Sequence, residues 1–209
     1  MILAAQGQNG LRQGGEYTMN KALLVIDFIN DIAHPDGRIA ASAAQVIEQD
    51  AIAHANQALA HARAHGWLVV LIKVGFDEGY LLQPKGSPMF GRARQFGALS
   101  LADSGTDFYP ELDVQPGDLV LTKPRVSPFY GTALEPALRA NRIEHLYVCG
   151  VSTSWAIQGA VRDGHDRDYA ITILEDACAA ADAAEHQASL RMLGRIAEII
   201  KVAELAARD

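Results

Sequence analysis

The 209-residue sequence predicts an α/β fold, in which a six-stranded parallel sheet lies between two layers of helices in a three-layer, Rossmann-like arrangement. Six short apolar segments recur along the chain, and stretches with apolar residues at helical spacing lie between most of them. Continuous apolar runs are typical of strands covered on both faces, as in parallel sheets. Strands that alternate with helices form right-handed crossovers, which produce such a sheet.

Each predicted strand is an apolar run that turn or loop residues bring to an end. The runs are 21–27 (KALLVID), 67–74 (WLVVLIKV), 118–123 (DLVLTK), 145–150 (HLYVCG), 169–176 (YAITILED) and 197–202 (AEIIKV). Because helical patterns follow the first, third, fourth and fifth runs, we expect crossover connections and parallel pairing.

The predicted helices are placed by their start and stop signals. Ser42 and Gln45 have the spacing of a capping box, and Gly66 suits the end of the helix that follows. Further helices are predicted over 131–141, after the turn at Gly150, and after Asp182, which with Glu185 caps the last one.

Two segments do not fit the strand–helix alternation. Residues 1–18 are rich in Gly and Gln, and we predict a flexible extension before a single domain over 19–209. Residues 75–117 are irregular and contain many Gly and Pro residues. A loop of this length in a compact domain is usually functional or mobile.

Composition excludes several classes of function. The formal net charge of -7 gives no electrostatic support for nucleic-acid binding, and no apolar run is long enough for a membrane span. Cys149 and Cys178 are the only cysteines, and both lie in apolar, strand-like segments. A disulfide framework is therefore not expected, and we predict a cytoplasmic protein.

Polar residues at strand ends mark the expected site. Ligands of open parallel sheets bind outside the carboxyl ends of the strands. The first strand ends at Asp27, the third at Lys123, and the fourth in the Gly150–Thr153 turn before a helix. A carboxylate, an amine and backbone N–H donors are thus predicted to meet at one edge, where each alone would be an ordinary cap or a solvated side chain.

These residues also carry a family resemblance. The segments ALLVIDFINDI, K-x-x-x-S-x-F-x-G-T-x-L from Lys123, G-V-x-T from Gly150, and EHQASLRML near the end occur in this order. The chain resembles the isochorismatase-like hydrolase superfamily, also called the cysteine hydrolases. The resemblance implies the parallel six-stranded fold and a hydrolase acting on a small molecule.

The resemblance implies a catalytic Asp27 and Lys123, and places Ala156 where amide-cleaving members carry a nucleophilic Cys. It also implies a cis peptide between Val151 and Ser152, which directs backbone N–H groups of Ser152 and Ala156 toward an oxyanion. Alanine has no nucleophilic atom. Three interpretations stay open: a Cys-to-Ala variant of an amidohydrolase, a natural enzyme that cleaves a vinyl ether with Asp27 as acid, or a non-catalytic binding relative.

The predicted pocket residues are Phe28, Phe90, Arg92, Tyr130, Thr153 and Trp155, of which Phe90 and Arg92 lie in the long irregular segment. We expect no cofactor and no metal. The electropositive surroundings of Asp27 favour a substrate that is anionic or contains a carbonyl group. A homodimer or homotetramer is expected from the resemblance, with no nucleic-acid or membrane partner.

Overall fold

The computed structural model describes residues 20–208, and their six strands form one sheet. The strands are β1 (Asn20–Ile26), β2 (Leu68–Val74), β3 (Leu119–Lys123), β4 (Ile143–Val151), β5 (Ala170–Ala179) and β6 (Glu198–Ile200). The predicted extension of residues 1–18 lies outside the described residues. Most strand limits differ from the predicted ones by one to three residues, as expected where apolar runs pass into turns.

All neighbouring strands pair in parallel, in the order β3-β2-β1-β4-β5-β6. The predicted α/β fold with a six-stranded parallel sheet is therefore confirmed. Successive strands run outward from β1 to β3, and then outward in the opposite direction from β4 to β6. The strand order reverses between β1 and β4, and such a switch point opens a crevice at the carboxyl ends of the strands.

Helices cover the sheet on both sides. They are α1 (Asn30–Ala33), α2 (Ala43–Glu48), α3 (Ala51–Ala64), α4 (Ala93–Phe96), α5 (Leu134–Ala140), α6 (Gln158–His165) and α7 (Ala183–Leu193), with 3₁₀ helices at Ser104–Thr106 and Val202–Ala207. Helix α3 packs on β1, β2, β4 and β5, whereas α5, α6 and α7 pack in a second layer. Right-handed crossovers that progress in opposite directions put their helices on opposite faces. Within residues 20–208, no helix has the length and apolarity that crossing a bilayer requires.

The core explains why the strands read as continuous apolar runs. Leu23, Leu24, Val25 and Ile26 are successive residues of β1 and all are buried, although their side chains alternate between the faces. Each such aliphatic side chain contributes roughly 1.5–3 kcal/mol when it leaves water. The central strands are therefore held from both layers, and their ends give fixed positions to the residues that follow.

Two features of the chain between β1 and β2 differ from prediction. The predicted helix around 42–66 is divided at Asp50, which has a left-handed φ of 52°, so α2 and α3 are separate. Ser42 and Gln45 do not form a capping box, because the Ser42 side chain makes no capping bond. The Gln45 carboxamide instead accepts a hydrogen bond from the Ala180 N–H, just beyond β5. The predicted Asp182 cap is present, since its carboxylate accepts from the Glu185 N–H at 2.8 Å.

The long segment after β2 is irregular, as predicted, but it has a core of its own. Phe76, Tyr80, Phe90 and Leu99 are buried together against Val74 and neighbouring residues. The Tyr80 hydroxyl donates to the Ala98 carbonyl at 2.8 Å, and the buried Asp31 carboxylate accepts from the Leu99 N–H at 2.7 Å. This segment therefore forms a packed wall beside the carboxyl end of β2.

Candidate active site

Asp27 is the first residue after β1, at the point where the strand order reverses. Its backbone adopts a left-handed φ of 58°, and its N–H donates to the Ile72 carbonyl of β2 at 2.8 Å. The side-chain Oδ1 accepts from the Val74 N–H at 2.8 Å. Both bonds run to β2, so the orientation of the carboxyl group is set by the neighbouring strand.

Lys123 reaches the same carboxyl group from the end of β3, on the far side of β2. Its Nζ lies 2.7 Å from Asp27 Oδ2, and both side chains are almost fully buried. The ammonium group also donates to the carbonyls of Arg125 at 3.2 Å and Val126 at 3.1 Å. Three acceptors match the three donors of an ammonium group, so Lys123 is held in place.

Burial raises the pKa of Asp27 above the ordinary carboxyl value, although the nearby Lys123 ammonium and the Val74 N–H act in the opposite direction. Desolvation disfavours the charged form of a carboxyl group. The sequence alone left open whether burial or the lysine has the larger effect. In the structure, burial has the larger effect on the pKa of Asp27. The carboxyl group can therefore hold its proton at pH values above the ordinary carboxyl pKa.

The end of β4 approaches β1 very closely at Gly150. A Cβ atom at this position would lie 2.0 Å from the Ile26 carbonyl oxygen, and φ is +130°. Only glycine fits there without a shift of the backbone. One residue further along the chain, the peptide bond between Val151 and Ser152 is cis, as predicted.

The helix after this turn begins with a wide, π-helical turn at Thr153–Ile157. The Ser152 carbonyl accepts from the N–H groups of Trp155 and Ile157, at 3.2 Å each. The Ala156 N–H lies between these two donors and is not among the donors to that carbonyl. Ala156 itself is buried and presents only a methyl group.

These elements enclose a cavity of about 320 Å³. It is lined by Asp27, Ile32, Ile39, Ala41, Ser42, Val74, Met89, Phe90, Arg92, Ala93, Phe96, Leu99, Lys123, Val126, Val151, Ser152, Trp155 and Ala156. The four residues predicted for catalysis or for the backbone donors, Asp27, Lys123, Ser152 and Ala156, therefore all line one cavity. Its walls are largely apolar, with few polar groups, which is usual for small-molecule sites.

Three of the predicted pocket residues, Phe90, Arg92 and Trp155, line the cavity, whereas the other three do not. Phe28 is buried in the main core and does not line the cavity, although it directly follows Asp27. Tyr130 is an exposed residue over which the Arg125 guanidinium lies at 5.6 Å.

Thr153 is the third exception, and it reveals a residue that the sequence did not indicate. It is fully buried, and its hydroxyl lies 2.8 Å from Nδ1 of His186 in α7. Burial lowers the pKa of His186. The pair therefore connects α7 to the turn that carries Ala156. His186 lies in the EHQASLRML segment of the family resemblance, but the helical spacing of α7 does not distinguish it from its neighbours.

Other reactive groups lie away from the cavity. Cys149 and Cys178 are buried in β4 and β5 and do not line it. Burial raises the pKa of Cys178 to about 12, and it also raises that of Cys149. Within the described residues, no group of three or more His, Cys, Asp or Glu side chains could hold a metal ion.

Comparisons with known proteins place this chain in a known family. The family model described as isochorismatase domain matches residues 21–204, which is most of the chain. The chain belongs to the isochorismatase family. Its fold is similar to that of an isochorismatase family protein from Desulfovibrio vulgaris, with a TM-score of 0.80, 23% identity, and 91% of this chain and 98% of that chain covered.

Two further solved structures have a similar fold. A cysteine hydrolase from Pseudomonas syringae pv. phaseolicola has a TM-score of 0.80 and 24% identity, with 90% of this chain and 92% of that chain covered. N-carbamoylsarcosine amidase from Thermoplasma acidophilum has a TM-score of 0.70 and 27% identity, with 88% and 97% covered. At such identities the isochorismatase fold is shared, while substrates have to be argued from the site.

Proposed function

We propose that this isochorismatase-family protein hydrolyses a small molecule by acid catalysis from Asp27, without a covalent intermediate. The observation that carries the proposal is a buried carboxyl group of raised pKa that lines a cavity together with Ala156. Ala156 occupies the position that the family resemblance assigns to the cysteine. The chain has no thiol at this position, and its two cysteines are buried elsewhere.

A vinyl ether is the substrate class that suits a proton donor without a nucleophile. Asp27 donates its proton to the terminal vinyl carbon, whose π electrons form the new C–H bond and leave an oxocarbenium ion. Water adds to that ion and returns a proton to the Asp27 carboxylate. The resulting hemiketal breaks its C–O bond to give a ketone and an alcohol, so the sum of the steps is the addition of one water.

Lys123 has a defined part in these steps. When Asp27 releases its proton, a carboxylate forms in a buried place, where an uncompensated charge is costly. The Lys123 ammonium at 2.7 Å stabilises that carboxylate. Charge that develops during the reaction is thus met by a group already in position, which is the arrangement that lowers a barrier most effectively.

A second candidate is hydrolysis of an amide or carbamoyl C–N bond by a form with Cys at position 156. It is favoured by the likeness to N-carbamoylsarcosine amidase and by the position of Ala156 in the first turn of a helix. A helix N-terminus lowers the pKa of a thiol and activates it. In that case the chain as written would bind substrate without turning it over.

One set of variants separates the two candidates. The wild type, D27N, A156C and D118N are assayed with isochorismate as the vinyl ether and with an N-carbamoyl amino acid. Asp118 is the matched control, because its carboxylate also lies 2.7 Å from a cation, Arg63, but at the amino-terminal edge of the sheet. We expect the wild type and D118N to cleave the vinyl ether, and D27N to lose about 10²–10⁴-fold in rate.

The opposite pattern would favour the second candidate. If only A156C is active, and only on the carbamoyl compound, the acid-catalysis proposal is wrong. If neither the wild type nor A156C turns over either compound, a second vinyl ether, an alkyl enolpyruvyl ether, is assayed in the same way. Failure of both vinyl ethers with a folded wild-type protein would also refute the proposal.

A further inference from the structure

The segment between β3 and α5 carries the carbonyl groups that hold Lys123. Residues 124–133 belong to neither a strand nor a helix, yet the Arg125 and Val126 carbonyls accept from the Lys123 ammonium at 3.2 Å and 3.1 Å. The Val126 side chain also lines the cavity. Because a segment of this kind has no regular backbone ladder, its position depends on the contacts that attach it to its neighbours.

Helix α6 holds this segment from one side. Gly159 and Asp163 are one turn apart and lie on the same side of the helix. At Gly159 a Cβ atom would lie 3.2 Å from the Val126 side chain and 3.5 Å from the Ser127 backbone, so the helix backbone passes close to the segment. One turn further on, the Asp163 carboxylate accepts a hydrogen bond from the Ser127 hydroxyl.

Asp163 is fixed in turn by Arg167, just beyond the end of α6. The Arg167 guanidinium donates to the Asp163 carboxylate at 2.9 Å and to the Asp163 carbonyl at 2.8 Å. It also lies 4.6 Å from the centroid of the Phe129 ring, which belongs to the segment after β3. One carboxylate oxygen of Asp163 therefore binds Arg167, and the other binds the Ser127 hydroxyl. A continuous series of contacts leads from α6 to Lys123.

We infer that Asp163 is a positioning residue for Lys123, and that it acts through the hydroxyl of Ser127. Their hydrogen bond keeps the nearby backbone carbonyls at the ammonium group, and these keep the ammonium group at the Asp27 carboxyl. Asp163 does not line the cavity, so it acts only through these links. The inference goes beyond the proposed function, because it concerns the buried ion pair whichever bond is cleaved.

Loss of the hydrogen bond should change the protonation of Asp27. The Lys123 ammonium lowers the pKa of Asp27, against the larger effect of burial. An ammonium group that loses its carbonyl acceptors is less well stabilised, and a segment that can shift holds it less firmly at the carboxyl group. The pKa of Asp27 should therefore rise, as it should when Lys123 is removed. A residue that only supports the fold would lower stability without this effect.

NMR of the Asp27 carboxyl carbon measures this change without a substrate. The full chain is isotope-labelled at its aspartate carboxyl groups, D27N identifies the Asp27 signal, and that signal is followed as a function of pH. We expect Asp27 to bind its proton at least about threefold more tightly in S127A and in D163A than in the wild type. K123M should bind it more tightly still, and S127T, which keeps a hydroxyl, should behave as the wild type.

Agreement between the two main variants assigns the effect to one hydrogen bond. The Ser127 hydroxyl also accepts from the Phe129 N–H at 3.2 Å, and D163A leaves that bond in place. S127A removes both bonds. A shift that occurs in both variants therefore comes from the contact between Ser127 and Asp163.

T132A is the matched control. Thr132 lies in the same segment, where its hydroxyl donates to the Pro128 carbonyl at 2.5 Å and accepts from the Leu134 N–H at 3.1 Å, near the start of α5. T132A removes a hydroxyl with two hydrogen bonds, as S127A does. It should lower stability in urea and leave the titration of Asp27 unchanged.

A double variant tests the route through Lys123. In K123M the ammonium group is absent, so the addition of S127A should not move the titration of Asp27 any further. The inference is wrong if S127A and D163A lower stability while Asp27 titrates as in the wild type, or if T132A moves the titration equally. If one of the two variants does not fold, the other decides by the same criterion. Failure of both to fold would show a role in folding alone and would also overturn the inference.

The result is separable from the reaction at Asp27. If the titration moves as expected while no vinyl ether is hydrolysed, the positioning role stands and the proposed function fails. If the wild type hydrolyses the vinyl ether while S127A and D163A leave the titration unchanged, the proposed function stands and the positioning role fails.

Discussion

Lys123→Met tests the physical basis of the candidate site, because it removes one member of the buried pair and leaves the other in place. Breaking a buried ion pair from one side costs about 3–5 kcal/mol in unfolding free energy, since the remaining charge has no partner. Asp27 has a way to reduce this cost, because its carboxyl group can bind a proton and become neutral. The size of the effect should therefore depend on pH.

The sign of that dependence follows from the pKa of Asp27. Burial already raises the pKa of Asp27 in the wild type, although the Lys123 ammonium lowers it. K123M removes that ammonium, so the pKa of Asp27 should rise further. In K123M the folded protein then binds the proton more tightly than the unfolded chain between the ordinary carboxyl pKa, about 3.9, and the raised folded value. Stability is greatest below this window and falls as pH rises through it, by up to about 1.4 kcal/mol per pH unit.

A double-mutant cycle gives the magnitude. D27N alone leaves the Lys123 ammonium beside an amide, whereas D27N/K123M leaves two neutral groups of similar shape. If each single change costs about 3–5 kcal/mol, their sum is about 6–10 kcal/mol, while the double change should cost roughly 2 kcal/mol or less. The coupling energy between Asp27 and Lys123 should thus be at least about 4 kcal/mol.

Urea unfolding followed by circular dichroism, at about pH 5 and about pH 8, measures all four proteins. A cycle on the Arg63 and Asp118 pair serves as control, because that pair is more exposed and should couple more weakly. Additive single changes at Asp27 and Lys123, or a K123M protein equally stable at both pH values, would refute the reasoning.

Two further predictions concern the turn that carries Ala156 and the groups behind it. Because Cys149 and Cys178 are buried with raised pKa values, folded wild-type protein should not react with a disulfide reagent at about pH 8. A156C should add one thiol that reacts with this reagent in the folded protein. Reaction of a second thiol before unfolding would contradict the burial of the other two cysteines. H186L should cost about 1–3 kcal/mol in urea unfolding, because the Thr153 hydroxyl loses its buried partner. H186N should recover part of this loss, and equal losses in both variants would exclude the hydrogen bond as the cause.

The features that the sequence predicted well depend on short stretches of chain. The apolar runs identified all six strands, and the central ones are the most continuous because a strand buried on both faces has little room for polar side chains. Asp27 and Lys123 were found from their place at strand ends, and the order of the strands was not needed for that. The cis peptide between Val151 and Ser152 was implied only by the family resemblance, which includes the short G-V-x-T segment from Gly150.

The features that failed depend on neighbours distant in the sequence. Gln45 has the spacing of a helix cap, but its partner is Ala180, which lies 135 residues away. Phe28 follows Asp27 directly, and the turn of the backbone sends one side chain to the core and the other to the cavity. His186 is an unremarkable helical residue until α7 packs against the turn at Thr153.

By itself, then, the sequence determined the class of fold and the chemical groups at each strand end, since burial patterns and turn residues act locally. Only the tertiary structure decided how those groups influence one another. Desolvation of Asp27 and its 2.7 Å contact with Lys123 both arise from packing of three strands and the long segment after β2. A residue's charge state depends on everything that surrounds it in space, and the order of residues in the chain does not specify that surrounding directly.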